Sequence, residues 1–186
     1  GIREMSNDVK KIFIAGFGGQ GVLLIGQMLS YAAMYEDKEV TWMPSYGPEM
    51  RGGTANCTVC IGSEPIASPY ITDAFDVLIV MNSPSLVKFE SQLKPGGDLF
   101  INTSIVDVEP TRTDVNIHRV DCNELAIEKV GNGKTANMVM LGAIIRQAKV
   151  VDLNTMNKVF EKVLTGKKAK LIPSNLEALS AWEIGA

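Results

Sequence analysis

The sequence predicts an α/β fold, a Rossmann-like three-layer α/β/α domain with a mainly parallel sheet. The stretch Lys11–Gly21 takes an apolar strand into a glycine-rich loop, and this loop opens a long apolar helix at Val22–Tyr35. A near-continuous apolar run, Asp76–Met81, is typical of a strand that is covered on both faces. Strand-like and helix-like segments alternate along the chain, which is the pattern of a layered α/β domain.

The other elements follow from the same patterns. The second strand is predicted at Glu39–Met43, and Thr54–Ile71 can add an antiparallel hairpin layer. A helix at Pro84–Leu93 is expected to end at Lys94–Gly97, where proline and glycine interrupt it. Further strands are predicted at Asp98–Asn102 and Asn116–Val120, and further helices at Glu124–Val130, Thr135–Lys149, Leu153–Leu164 and Ser174–Ile184.

Length and composition indicate one globular domain, which we expect to span residues 10–186. The chain has 186 residues, 46% of them hydrophobic and 21% charged, as in folded domains with a single core. A net charge of −3 gives no electrostatic footprint for nucleic acid. No apolar stretch reaches membrane-spanning length, and we expect a cytoplasmic protein. Residues 1–9 are interpreted as an N-terminal extension or a cloning remnant.

The glycine-rich loop has the residue types of an anion site. Gly16, Gly18 and Gly21 satisfy G-x-G-x-x-G, and Gly19 adds another residue without a Cβ. Glycine lets backbone N–H groups approach an anion closely, and the following helix points its positive dipole end at the same place. The alternative is a tight strand-to-helix turn whose glycines serve only close packing.

A dinucleotide such as NAD is disfavoured as the ligand. Its ribose is usually held by a carboxylate at the end of the second strand, about 20 residues after the glycine loop. Here Glu36, Asp37 and Glu39 stand before that strand or at its start. The next carboxylate, Glu49, comes only beyond the strand's end.

A second glycine-rich stretch, Ser45–Gly53, reads SYGPEMRGG and is predicted to be a ligand-facing loop. Arg51 offers a planar guanidinium suited to phosphate or carboxylate, and Glu49 is its nearest counter-charge in sequence. A loop at the carboxyl end of a parallel strand is where α/β proteins bind ligands. The alternative is a surface loop closed by an ion pair between these two side chains.

The sequence does not predict a metal centre. Cys57 and Cys60 form a C-x-x-C, but within a strand residues three apart face opposite sides. Cys122 is the third and last cysteine, whereas an iron–sulfur cluster needs about four thiolates. His118 is the sole histidine and is interpreted as structural. No catalytic triad or metal-ligand spacing is visible, so catalytic and metal residues are predicted to be absent and the chain to be a binding subunit.

Several segments in order resemble the gamma subunit of 2-oxoacid:ferredoxin oxidoreductases, a unit that is also a domain of pyruvate:ferredoxin oxidoreductase. The segment Trp42–Val59 is more similar to the 2-oxoglutarate branch than to the pyruvate branch. The resemblance extends from about Lys10 to about Leu179. It rests on GFGGQGV (Gly16–Val22), WMPSYGPEMRGGTANCTV (Trp42–Val59), DVLIVMN (Asp76–Asn82) and TANMVMLGA (Thr135–Ala143).

The resemblance implies one subunit of an enzyme of anaerobic metabolism that decarboxylates a 2-oxoacid oxidatively to an acyl-coenzyme A. Alpha, beta and possibly delta subunits would hold thiamine diphosphate, magnesium and iron–sulfur clusters and pass electrons to ferredoxin. This chain would not be active alone and would contribute assembly and coenzyme A binding. The residues expected to face coenzyme A or the partner subunit are Gly16, Gly18, Gly19, Gln20, Gly21, Ser45, Tyr46, Glu49, Arg51 and Asn137.

Two other readings stay open. One is a pure assembly subunit whose glycine loop binds nothing, and the other is a free-standing nucleotide-binding enzyme. The absence of a ribose carboxylate at the expected position weighs against the second.

Overall fold

The computed structural model describes residues 9–45, 54–66 and 74–185, and within them six strands and six helices. The strands are β1 (Lys10–Phe17), β2 (Glu39–Ser45), β3 (Thr54–Gly62), β4 (Phe75–Val80), β5 (Leu93–Asn102) and β6 (Asn116–Val120). The helices are α1 (Val22–Tyr35), α2 (Ser83–Phe89), α3 (Cys122–Leu125), α4 (Ala136–Ala148), α5 (Met156–Val163) and α6 (Ile172–Leu179).

The described strands form one mixed sheet in the order β2-β3-β1-β4-β5-β6. Strands β1, β4, β5 and β6 are mutually parallel, and β3 runs antiparallel between β1 and β2. The antiparallel segment expected at Thr54–Ile71 is described up to residue 66. Its strand β3 is antiparallel as predicted and lies within the main sheet, paired with β1 on one side and β2 on the other.

Hydrophobic clusters lie on both faces of the sheet. The larger cluster joins β-strand residues such as Ile14 and Ile79 to α1, α4, α5 and α6. The smaller one packs Leu86 of α2 against Phe13 and Leu78, which alternate with the first set along the same strands. The result is the predicted α/β/α arrangement with unequal outer layers. Among the described helices, none combines the length and apolarity needed to cross a membrane.

Gly26 allows α1 to pack closely against β3, and Gly142 allows α4 to pack closely against α6. A Cβ at Gly26 of α1 would lie 2.5 Å from Sγ of Cys57 on β3. A Cβ at Gly142 of α4 would lie 2.0 Å from the backbone oxygen of Leu179 on α6. Since side chains cannot approach so closely, these two positions fix how near α1 and α4 lie to their neighbours.

Several predicted boundaries differ from the structure, chiefly those at the ends of α2 and α6. The helix expected at Pro84–Leu93 ends as an α-helix at Phe89 and continues as a 3-10 turn to Gln92, because β5 begins at Leu93 and includes the Pro-Gly-Gly segment that the sequence predicts as a helix stop. The pairing of β4 with β5 shifts register at this point, and Gly96 has a φ of 78°. The C-terminal helix ends at Leu179, before the expected Ile184. The chain then turns so that the indole of Trp182 donates to the backbone oxygen of Arg119 at 2.9 Å.

Candidate functional site

A cleft of about 230 Å³ lies at the carboxyl edge of the parallel strands. It is bounded by the turn between β1 and α1, by the ends of β4 and β5, and by the segment that leads into α4. This is the edge at which open α/β sheets bind ligands. Its lining residues are Gly19, Gln20, Gly21, Met81, Asn102, Asn123, Gly133, Lys134, Ala136 and Asn137.

The side chain of Gln20 holds the glycine turn in place. Its Oε1 accepts from the backbone N–H of Phe17 at 2.7 Å, and its Nε2 donates to the backbone oxygen of Met81 at 2.8 Å. The amide thus ties the turn that follows β1 to the end of β4. Gly16 lies directly beneath, where a Cβ would be 2.7 Å from Gln20 Oε1. Gln20 therefore serves the shape of the cleft, since its oxygen and one N–H are already used.

The glycines of the turn differ in what surrounds them. A Cβ at Gly18 or Gly19 would meet nothing within 4 Å, so both present open backbone. Gly21 has a φ of 72°, which glycine adopts at little cost. A Cβ there would lie 2.3 Å from Nδ2 of Asn137, so the first turn of α4 contacts the glycine turn at this point.

The entry to α4 forms the opposite wall. The side chain of Asn132 accepts from the backbone N–H of Lys134 at 3.0 Å, and the hydroxyl of Thr135 donates to the backbone oxygen of Asn132 at 2.7 Å. These bonds hold the short 3-10 turn Gly133–Thr135 ahead of the helix. Lys134 is exposed and contributes the single lysine among the described lining residues.

Two asparagines close the base of the cleft. Asn102 is 1% exposed, and its Nδ2 donates to Oδ1 of Asn123 at 3.0 Å. Its Oδ1 accepts from the backbone N–H groups of Ser104 and Cys122, each at 3.2 Å. The amide of Asn102 is thereby satisfied, and Asn123 is held beside it.

This arrangement is suited to bind an anion. The N-termini of α1 and α4 converge on one cleft, and each helix brings the partial positive charge of its dipole. At the entry to α4 the backbone N–H groups of Lys134, Thr135 and Ala136 are paired within the turn, so this end acts through its dipole. Lys134 adds a full positive charge, and the asparagines add side-chain amides. The cleft contains no Asp or Glu among its described lining residues, so nothing in that lining opposes a negatively charged group.

Residues 11–181 match the family described as pyruvate ferredoxin/flavodoxin oxidoreductase. The chain belongs to this family. The family that the sequence motifs predicted is therefore confirmed.

Two relatives differ in substrate name and in length. The chain is 37% identical over 173 residues to ketoisovalerate oxidoreductase subunit VorA of Methanothermobacter marburgensis, a match that covers 92% of the chain and 35% of VorA. It is 34% identical over 164 residues to 2-oxoglutarate synthase subunit KorC of Methanocaldococcus jannaschii, with 87% of each covered. The chain thus spans about a third of the length of VorA and most of the length of KorC.

Solved structures of the family share the fold. The gamma subunit of a keto/oxoacid ferredoxin oxidoreductase from Geobacter sulfurreducens is 26% identical, with a TM-score of 0.79 over 92% of this chain and 95% of that one. The 2-oxoglutarate:ferredoxin oxidoreductase from Magnetococcus marinus, solved with 2-oxoglutarate, coenzyme A and succinyl-CoA, is 24% identical, with a TM-score of 0.83 over 94% of this chain and 30% of that one. The second likeness concerns the fold alone.

In this member of the family, the cleft gathers part of the predicted site. Gly19, Gln20, Gly21 and Asn137 line it, whereas Gly16 is buried beneath it and Gly18 stands outside its lining. Ser45, the last residue of β2, is not part of the lining, because β3 separates β2 from β1. Two strand spacings amount to about 10 Å. The remaining predicted residues, Tyr46, Glu49 and Arg51, lie outside the described residues.

Sequence reasoning missed three polar residues of the cleft, namely Asn102, Asn123 and Lys134. Asn102 ends β5, Asn123 follows β6 by three residues, and Lys134 stands in the turn before α4. The signal that could have found them is position. Polar side chains just beyond parallel strands, and before a long helix, converge at one edge of the sheet.

The cysteines of this family member behave as buried apolar residues. Cys57 and Cys60 alternate in side along β3, and both are buried. Burial raises the pKa of the Cys57 thiol to about 12, with hydrogen bonds to Trp42 and Gly26 opposing the shift. Burial likewise raises the pKa of Cys60 and Cys122. Such thiols are protonated at neutral pH and are poor metal ligands or nucleophiles.

His118 is held within the sheet. Its Nε2 lies 2.8 Å from Oδ1 of Asp98 on the neighbouring strand, and its ring packs on Phe100 with centroids 4.7 Å apart. Neither His118 nor Asp98 lines the cleft at the carboxyl edge. The contacts are those of a structural histidine. Within the described residues, no group of three or more His, Cys, Asp or Glu side chains is placed to hold a metal ion.

A second groove, of about 370 Å³, lies beyond β6 and mixes charges of both signs. Arg119, Lys129, Asp121 and Glu183 all line it. A hydrogen bond to the Asp121 carboxyl, together with its negative charge, raises the pKa of nearby Glu124. Because its cations and carboxylates offset one another, this groove is less suited to an anion than the carboxyl-edge cleft, whose described lining has no carboxylate.

Proposed function

We propose that this chain is the gamma subunit of a multisubunit 2-oxoacid:ferredoxin oxidoreductase and that it binds the phosphates of coenzyme A in the carboxyl-edge cleft. The enzyme decarboxylates a 2-oxoacid oxidatively and releases an acyl-coenzyme A. Other subunits carry the redox chemistry and pass electrons to ferredoxin in the cytoplasm. This chain takes part in assembly of the complex and holds the coenzyme.

One observation carries the binding role, namely the convergence of the α1 and α4 N-termini on a cleft lined by donors. Open backbone at Gly19 and the exposed Lys134 face the same cleft. A diphosphate is an acceptor-only group with a negative charge, so each of these features favours it. The volume of about 230 Å³ is below the roughly 300 Å³ from which whole-ligand pockets begin. The cleft therefore suits the phosphates, with the rest of the coenzyme outside.

The proposed 2-oxoacid is 2-oxoglutarate. The match to KorC, whose name denotes a 2-oxoglutarate synthase subunit, covers 87% of both chains. The relative named for ketoisovalerate has similar identity but a different chain organisation, since the match spans 35% of it. Branched-chain 2-oxoacids are accordingly the second substrate class to test.

The described residues do not fit magnesium or an iron–sulfur cluster. The three thiols are buried with raised pKa values. No set of carboxylates in the described part of the chain is grouped for a cation. We therefore assign no step of electron transfer or decarboxylation to this chain, and its role in turnover is to hold and orient the coenzyme.

Reconstitution with the partner subunits tests the proposal. Acyl-coenzyme A formation and ferredoxin reduction should require this chain, with 2-oxoglutarate preferred over pyruvate and branched-chain 2-oxoacids. Inorganic diphosphate should inhibit competitively against coenzyme A. Full turnover without this chain would contradict the proposal. Loss of assembly alone, with no competition by diphosphate, would make it a pure assembly subunit.

A further inference from the structure

We infer that Asn123 presents its side-chain NH2 to the coenzyme phosphate, and that Asn102 acts as a positioning residue which fixes this orientation. The inference rests on the proposed function, because it assigns residues to the anion site described there. It adds a determinant of specificity on the strand side of the cleft, away from the glycine turn.

The orientation follows from a chain of hydrogen bonds that begins at the backbone. The N–H groups of Ser104 and Cys122 can only donate, and both point to one end of the Asn102 amide. That end must be the oxygen, since an amide nitrogen does not accept. The other end of Asn102 is therefore its NH2, which donates to Asn123 at 3.0 Å.

The same reasoning fixes Asn123. The atom of Asn123 that receives the hydrogen bond from Asn102 must be Oδ1. Its Nδ2 is left at the other end of the amide, and no described residue accepts a hydrogen bond from it. Asn123 is half-buried and lines the cleft. Its free N–H groups thus belong to the donor set that faces the anion.

As a consequence, Asn123 favours ligand groups that accept hydrogen bonds over groups that only donate them. With Nδ2 free, Asn123 donates to an acceptor such as a phosphate oxygen and repels a cation or a group that only donates. Were the amide reversed, it would present an oxygen to the phosphate. Asn102 prevents the reversal, because a reversed Asn123 would leave two NH2 groups facing each other. Asn102 is almost fully buried, so leaving its NH2 unpaired would carry a desolvation penalty.

Asn123→Asp is the most informative substitution. Aspartate keeps the oxygen that accepts from Asn102, so the base of the cleft stays satisfied, but it replaces the free NH2 with a second oxygen. In the reconstituted enzyme, the KM for coenzyme A should rise at least about tenfold with kcat within about twofold of the parent enzyme. Asn123→Leu, which removes the donor without adding charge and also leaves the Asn102 NH2 unpaired, should raise KM by about tenfold and lower the melting temperature.

Asn116→Asp is the matched control for charge. Asn116 is exposed at the amino end of β6, where its Nδ2 donates to the backbone oxygen of Gly96. The same change of charge there should leave KM for coenzyme A within about twofold. Thermal unfolding of each variant complex confirms that the comparison concerns assembled enzyme.

A double-mutant cycle tests the positioning role of Asn102. In Asn102→Asp, assayed at alkaline pH so that the buried carboxyl is ionised, both side-chain oxygens only accept, so Asn123 must turn its NH2 inward and present Oδ1 to the phosphate. This change should raise KM several-fold in the parent and distinctly less in the Asn123→Leu background, where no amide remains to turn. Equal effects in both backgrounds would overturn the positioning role, because the added charge would then account for the whole change.

The outcomes separate this inference from the proposed function. If inorganic diphosphate fails to compete with coenzyme A in the parent enzyme, the proposed function fails. If diphosphate competes but the Asn123 variants behave like Asn116→Asp, the proposed function stands and the assignment of Asn123 is overturned.

Discussion

One groove lies at each end of the parallel strands, at the carboxyl edge and at the amino edge, and the two grooves differ in the number of their lysines and in the contacts around them. The groove at the amino edge, about 290 Å³, is lined by Lys10, Lys38 and Lys149, whereas the carboxyl-edge cleft has Lys134 as the one lysine of its described lining. The number of lysines alone would favour the amino edge as the anion site. Geometry favours the carboxyl edge.

Contacts at the amino edge explain the difference. Lys38 Nζ donates to Oε1 of Glu36 at 3.0 Å and to the backbone oxygen of Val150 at 2.8 Å. The other carboxylate oxygen of Glu36 accepts from the N–H of Asp152 at 2.8 Å. In addition, α4 ends at Ala148 and is capped by Lys149, so the negative end of its dipole lies at this groove. Lys38 is therefore engaged within the fold, and the helix dipole at this edge opposes an anion.

The comparison is tested most strongly by two substitutions, one at each edge, that each make the net charge more negative by one. Gly19→Asp puts a carboxylate beside the proposed phosphate, where repulsion of about 1–4 kcal/mol should raise the KM for coenzyme A at least about tenfold. Folding should be preserved, since Gly19 has no positive φ and a Cβ there meets nothing within 4 Å.

Lys149→Asn is the matched variant at the amino edge. Lys149 has a φ of 55°, a conformation that asparagine tolerates. We expect KM within about twofold of the parent enzyme. Steady-state kinetics of the reconstituted enzymes check both variants. A larger effect of Lys149→Asn than of Gly19→Asp would move the anion site to the amino edge.

Lys134→Ala should have the next largest effect. Removing an exposed point charge from the cleft should raise the KM for coenzyme A about three- to tenfold at low salt, and less as salt screens the interaction. Lys10→Ala, at the other edge, is the control and should change little. Coenzyme A kinetics over a salt series provide the measurement. If the Lys134→Ala enzyme has the same KM for coenzyme A as the parent enzyme at every salt concentration, Lys134 is not part of the site.

Gln20→Ala should affect binding and stability together. The variant loses the hydrogen bonds to Phe17 and Met81, worth about 1 kcal/mol each, so unfolding free energy should fall by about 1–2 kcal/mol. The glycine turn would then be less ordered, and KM for coenzyme A should rise a few-fold. Thermal unfolding and kinetics on the same preparation measure both. Lower stability with an unchanged KM would limit Gln20 to a structural role.

Much of the fold could be predicted from the sequence because its signals are local. Helix α1 has the predicted bounds, since a glycine turn precedes it and its apolar residues are continuous. The place of β3 between β1 and β2 could not be predicted, because strand order depends on long-range pairing. The early start of β5 was missed for a similar reason, since pairing with β4 overrides the local tendency of Pro-Gly-Gly to form a turn.

The site was predictable in part for related reasons. A glycine motif before a helix is a contiguous signal, and it located Gly19, Gln20 and Gly21. The proposed role of Asn123 depends on its hydrogen bond with Asn102, which lies 21 positions earlier in the chain. No local pattern records such a contact.

Glu36→Gln should produce the smallest effect, and one confined to stability. Burial alone would raise the pKa of Glu36, but hydrogen bonds from the Asp152 N–H and from Lys38 outweigh it and lower the pKa below the usual 4.5. The ionised carboxylate thus contributes stability above about pH 4.5, and this contribution is lost as the pH falls through the lowered pKa. We expect Glu36→Gln to lose about 0.5–1 kcal/mol at neutral pH.

Denaturant unfolding across pH 3–7 checks this prediction. The difference between Glu36→Gln and the parent should shrink toward the acid end, while KM for coenzyme A at neutral pH stays unchanged. A raised KM would show that the amino edge takes part in binding.

The position of the coenzyme phosphates in the assembled oxidoreductase tests the central claim most directly. A structure of the complex with coenzyme A should place the diphosphate within about 3 Å of backbone N–H groups of the Gly19–Gly21 turn and of Nδ2 of Asn123. A diphosphate found in the lysine-lined groove at the amino edge, or held entirely by another subunit, would contradict the account.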